Sequence, residues 1–311
     1  MSTPFLASSP IAYPRIVEAR NRSRWDVDRD VIRGRRLDFT QKFMPDGLSL
    51  AGRLTFLTAH ERCLLSQVQG RTYAGMFRMV DCFLRANLPL LARTHGNAYG
   101  SAYQALVRFT DEELRHQDLF RRIELLADEG MPPGYRFVPQ ATDVGAFVFG
   151  KSTWALLALV CHIEVFTQEH YRASIEHDVH LSGLWKDVFF FHWKETSVHG
   201  VLDEIQWAHE DSLIDAADRE RAVDHLIELV QGIDALLLYQ APADVEYFIG
   251  ACGRAFTSSE VERLHATMLA AYRQQYIVSG IRAPRFAELL DKLVGAAHTA
   301  RIASELAPIL Q

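Results

Sequence analysis

The most apolar run in this chain, Trp154 to Phe166, carries a histidine and a glutamate, His162 and Glu164, among leucines, valines and alanines. The run spans about 13 residues, which is too short and too polar to cross a bilayer. It reads as a buried helix. Ionisable groups on such a helix must be paired or bound to metal, because burying them alone costs several kcal/mol. The chain must therefore fold around a polar centre inside an apolar core.

The rest of the pattern sets the class. From Ser49 onward, no stretch sustains the period-two alternation of β-branched residues that marks a strand, so the expectation is all-α. Residues 1–48 hold prolines at 4, 10, 14 and 45 and read as an irregular arm with a short helix. Four helices are expected over about 50–93, 98–129, 146–177 and 184–210. The break before the third is Glu129-Gly-Met-Pro-Pro-Gly134. Further amphipathic helices are expected near 215–238, 243–254, 258–278 and 284–308. The expected organisation is an arm (1–48), a helical bundle (49–211) and a C-terminal helical extension (212–311). The extension is a candidate for core packing, an active-site cover or a homodimer interface.

Composition narrows the function. The 311 residues are 49% hydrophobic and 23% charged, ordinary for a globular protein, and the formal charge is −6. The acidic balance and the lack of any long Lys/Arg block argue against nucleic acid as a partner. Four widely spaced cysteines, with no Cys-x-x-Cys, fit buried thiols in a reducing compartment. With no signal peptide and no spanning segment, a cytoplasmic location and no membrane partner are expected.

Two stretches about 80 residues apart pair carboxylate with imidazole on one helix face: Glu113-Leu-Arg-His116 and His192-Trp-Lys-Glu195-Thr-Ser-Val-His199. Residues equally far from the turn of an antiparallel helix pair lie at one level. Taking turns near 96 and 180, Asp81 lies about 15 positions before the first and Glu113 about 17 after it. Glu164 lies about 16 before the second and Glu195 about 15 after. The four carboxylates thus fall within about one helical turn, whereas Glu61 misses by several. On the fourth helix His192, Glu195, His199 and Asp203 share a stripe of roughly 80°. Each motif alone reads more simply as solvated polar residues, or as a buried Glu–His or Glu–Arg pair. Their joint agreement in spacing, height and face favours a metal site.

At these residues the chain resembles the ferritin-like, carboxylate-bridged dimetal proteins. That pattern takes one carboxylate from each of two helices and Glu-x-x-His from each of the other two. The resemblance covers about residues 50–210 and implies a ferritin-like four-helix bundle with Asp81, Glu113, His116, Glu164, Glu195 and His199 as ligands. His192 resembles the additional histidine of the p-aminobenzoate N-oxygenase type of di-iron enzyme. The fourth helix departs in spacing: this chain has His-x-x-Glu-x-x-x-His, with Thr196 where the usual glutamate stands. A π-bulge there would restore the geometry. Asp203 is the expected hydrogen-bond acceptor that orients His199.

The resemblance implies two Fe ions, with Mn or mixed Fe/Mn fitting the same ligands. It also implies O2 and a small organic substrate as reactants, with an external electron donor. Phe77, Phe109, Phe166, Phe190 and Trp193 are the expected chamber lining, and Tyr73, Tyr103 or Tyr171 a proton donor; Cys82 is left outside the site. The alternatives are a ferroxidase or iron-handling protein of the same fold, and a metal-free helical binding or scaffold protein. A haem-oxygenase-like di-iron fold is a further all-helical alternative.

Overall fold

The computed structural model describes residues 25–94 and 101–310, the side chains of 82–110 excepted. It is all-helical. Among the described residues no strand forms, and the only extended pairing is an isolated bridge between Lys42 and Leu181. Eight helices carry the fold: α1 (Ala59–Thr94), α2 (Ser101–Gly130), α3 (Ala141–Phe149), α4 (Thr153–His170), α5 (Gly183–Asp211), α6 (Ala216–Cys252), α7 (Ser258–Arg273) and α8 (Pro284–Glu305). Among the described residues, no helix is long and apolar enough to cross a membrane.

Helices α1 and α2 pack along each other, as do α4 and α5, and α2 meets α5 between the two pairs. The faces that meet are apolar, which is what drives helices together in water. Leu65, Val68, Tyr73 and Phe77 of α1 are buried, with Leu119, Phe120 and Ile123 of α2. From α4 come Trp154, Leu157 and Phe166, and from α5 Trp185, Val188 and Phe189. Trp154 is anchored across the second pair, its indole N–H donating to Asp211 Oδ1 at 2.8 Å.

The described part of the expected arm, from Trp25 onward, packs against the helices. A π-helical turn, Val27–Ile32, lies on α5 and α2. Val31, Phe43 and Met44 have no solvent exposure, so this segment is part of the core. Residues 1–24 lie outside the described residues.

Three expected boundaries are corrected. The expected helix over 146–177 is two helices, because the chain breaks at Gly150-Lys151 and Ser152 caps α4, its side chain accepting from Ala155 N. The helices expected at 215–238 and 243–254 are one, α6, running through Pro242. Proline removes one intrahelical donor there. Two residues earlier, Gln240 binds the α2–α3 linker by accepting from Val138 N and donating to Arg136 O, which holds the segment in place. α8 is interrupted at Gly295, whose φ of 76° suits glycine alone.

Candidate metal centre

The interior between the two helix pairs is polar. Two groups of donors meet there: Asp81, His116 and His192 in one, and Glu113, Glu164 and His199 in the other. Within each group the candidate ligand atoms all lie within 4.8 Å of one another, and all six residues are buried. α1 supplies Asp81, α2 supplies Glu113 and His116, α4 supplies Glu164, and α5 supplies His192 and His199. Of the four carboxylates matched by height, Asp81, Glu113 and Glu164 fall in these groups and Glu195 does not.

The groups adjoin. His116 Nδ1 is 3.8 Å from Glu113 Oε1, and His199 Nδ1 lies 3.3 Å from Glu113 Oε1 and 3.5 Å from Glu164 Oε1. The His116 and His192 rings meet edge to face at 4.5 Å, and His116 and His199 are 5.9 Å apart. Glu113 therefore stands between the groups, where a bridging carboxylate would have to be.

The imidazoles have a consistent polarity. His116 turns Nε2 outward to Glu195 Oε2 at 3.0 Å, and His199 turns Nε2 outward to Glu112 Oε2 at 2.9 Å. A carboxylate on the outer nitrogen leaves the inner one as a lone-pair donor, which is how metal-binding histidines are oriented.

Glu195 therefore stands outside both donor groups. It pairs with the Arg115 guanidinium at 2.8 Å and with His116, a positioning role on the outer side of the site. Burial and the nearby Glu112 push its carboxyl up to about 7, against the pull of Arg115. α5 is α-helical throughout Gly183–Asp211, with no π-bulge, so Glu195 is not rotated onto the inner face. The residue at the inner position is Thr196, whose hydroxyl accepts from Gln168 Nε2 at 2.7 Å. A hydroxyl–amide bond thus occupies the place where the sequence resemblance would put a second glutamate. Asp203 is buried, but the acceptor on His199 Nε2 is Glu112.

Burial, and the adjoining Asp81 and Glu164 carboxylates, hold the Glu113 carboxyl well above its ordinary range. Ionised, neither of its oxygens finds a donor, and only by taking up a proton can it bond to Asp81. Glu164 Oε2 and His192 Nδ1 are also buried without a hydrogen-bond partner. Burial, and the neighbouring His116 and His199, push the His192 imidazole far down, so it is a neutral ligand-ready ring. Three buried carboxylates and three buried imidazoles, with Glu113, Glu164 and His192 keeping atoms without a hydrogen-bond partner, fit a pair of divalent cations, and the oxygen–nitrogen mixture suits Fe or Mn.

The other expectations divide. Phe77 packs edge-on to His192 at 5.1 Å and on Phe166 at 6.2 Å, making an aromatic wall. Phe190 and Trp193 do not line the site: they stack on each other and against Tyr171, with Phe190 36% exposed. Phe109, Tyr103 and Cys82 lie outside the described side chains. The Tyr73 hydroxyl is 2.7 Å from His170 Nδ1, away from the donors. Glu61 caps α1 and pairs with Arg254, far from the site, in keeping with its exclusion.

Glu112, Arg115, Gln168 and Trp25 were missed. Glu112 and Arg115 flank the Glu113/His116 pair, and Gln168 follows Glu164 by one turn, so a search for helical neighbours of each ligand would have found those three. Trp25 stacks over His116 at 6.2 Å from a segment with no helical pattern, and nothing local announced it. No family model, curated protein or solved structure matches this chain.

Proposed function

We propose that this chain is a ferritin-like, carboxylate-bridged di-iron protein that carries out O2-dependent oxidation of a small organic substrate. One observation carries the reading: six buried donors from four helices converge on a space where Glu113, Glu164 and His192 keep inner atoms without a hydrogen-bond donor. Asp81, His116 and His192 would hold one ion, and Glu164 and His199 the other, with Glu113 shared between them. Such a pair, when bound, supplies the redox chemistry that activates O2.

The protein's own part is positioning and exclusion. Glu112 and Glu195 hold the two imidazoles with their inner nitrogens deprotonated. The Arg115–Glu195 pair closes the outer side, with Trp25 stacked over His116. Phe77 and Phe120, each 5.1 Å from the His192 ring, keep water from the α1–α2 side. Thr196 in place of a second glutamate leaves three carboxylates for two divalent ions, so the site would be cationic by about one charge.

The test is O2 consumption by anaerobically Fe(II)-loaded protein. An oxygenase consumes O2 beyond the equivalents of iron only when an organic substrate and a reductant are present. A ferroxidase consumes it in proportion to iron alone, and that result would replace the oxygenase assignment.

A further inference from the structure

A cavity of about 480 Å³ lies beside the metal centre, between α1 and α4 and under α3 and α6. Its wall uses two of the site's four helices, α1 and α4. Val80 precedes Asp81, Val160 lies one turn before Glu164, and Phe166 packs on Phe77, the ring that touches His192. Met76, Leu159, Ile163 and Ile233 complete a lining that is almost wholly apolar. Gln140 and Asp143 are exposed and so lie at the rim, beside Tyr239, which is 71% exposed, while the lining Tyr276 is buried near Phe166. The lining holds no cation.

We propose, on the di-iron reading above, that this cavity takes the aliphatic chain of the substrate: an unbranched alkyl chain with an uncharged polar head. The chain's tail would lie against Phe166 and the seam between α1 and α4, with the head at Gln140. Binding pockets of this size are typically apolar with a few polar groups that fix orientation, and here Gln140 and Asp143 stand at the mouth, with Tyr276 the one polar side chain of the buried lining among the described residues. A carboxylate head would meet Asp143 with no compensating cation. A methylene takes about the ~30 Å³ of a water, so the cavity holds roughly a dozen carbons with the looseness of a binding site.

The experiment is calorimetric binding of the 1-alkanols, hexanol to tetradecanol, to metal-free and metal-loaded protein. Affinity is expected to tighten about threefold to fourfold per methylene and to level off near ~12 carbons. Val160→Phe fills the chamber and should bring the plateau several carbons earlier. Gly232→Leu, at a half-buried mouth position where an added Cβ meets the Phe147 ring, should weaken every homologue. Circular dichroism and iron content verify that each variant is folded, and either one suffices if the other is not. In protein loaded with Mn(II), nuclear relaxation of bound dodecanol should be faster at the terminal methyl than at the hydroxyl carbon. Affinity independent of chain length, tighter binding of p-aminobenzoate than of decanol, or faster relaxation at the head would overturn the proposal. Loss of metal uptake with the chain-length series intact would instead strike only the di-iron reading.

Discussion

Individual residues decide whether this interior is a metal site or a polar network. Glu195 and Glu112 touch His116 and His199 on their outer nitrogens, so neither is expected to be a ligand. Glu195→Gln should therefore leave two ions per chain but weaken metal affinity about 10- to 100-fold, the usual effect of losing an orienting carboxylate. Competition with a coloured chelator measures this, and complete loss of one ion would make Glu195 a ligand after all. His170 offers a second test at this scale. It is buried between Tyr73 and Ser279, and burial, with the nearby His162, pushes its imidazole down to about 3. The folded chain thus keeps it neutral where the unfolded chain, with an ordinary pKa near 6.5, takes a proton. Its contribution is present above the unfolded pKa and is lost as pH falls. Relative to His170→Gln, the chain should lose about 1.4 kcal/mol per pH unit on going from about pH 6 towards 3, read from urea unfolding of metal-free protein. A pH-independent difference would show that the ring is charged in the fold.

At the scale of helices, the sequence revealed which segments bring buried carboxylates and histidines together better than how they end. The α2 pair Glu113/His116 and the α4 glutamate were legible because helical periodicity puts spacing and face in the sequence itself. The fourth helix was not, since His192, Glu195 and His199 share a broad stripe and periodicity cannot separate an inward residue from one turned to Arg115. Helix ends were misjudged where tertiary contacts override local signals. Pro242 does not end α6, because the linker bound by Gln240 holds the turn, and α4 starts late because Ser152 caps it. The short helix Ser279–Ile281 makes a contact no pattern would reveal. Gly280 abuts the His162 ring, which bonds to Ile277 O at 3.0 Å and is boxed by Phe166 and Phe286. Gly280→Ala must displace that ring or the helix and should cost about 1–3 kcal/mol, measured as a lower denaturant midpoint. An unchanged midpoint would mean that this helix is free to shift.

For the molecule as a whole, the all-helical architecture followed from the absence of strand patterning, and the siting of the polar centre from counting outward from two turns. What the sequence concealed is that the segment from Trp25 belongs to the core and that a second, apolar chamber adjoins the centre. Both arise from packing between segments distant along the chain, which no local pattern encodes. The interior concentrates Asp81, Glu113 and Glu164 in one buried space, where burial and the neighbouring carboxylates push the Glu113 carboxyl well above its ordinary range, so cation binding should stabilise the fold. At a free metal concentration a hundredfold above Kd the gain is about 2.7 kcal/mol, seen as a rise in Tm with added Fe(II). The most direct test is metal content after anaerobic Fe(II) loading and desalting. Two ions per chain are predicted, with the second lost in Glu164→Ala and both weakened or lost in Glu113→Ala; a folded chain that retains no metal would contradict the account.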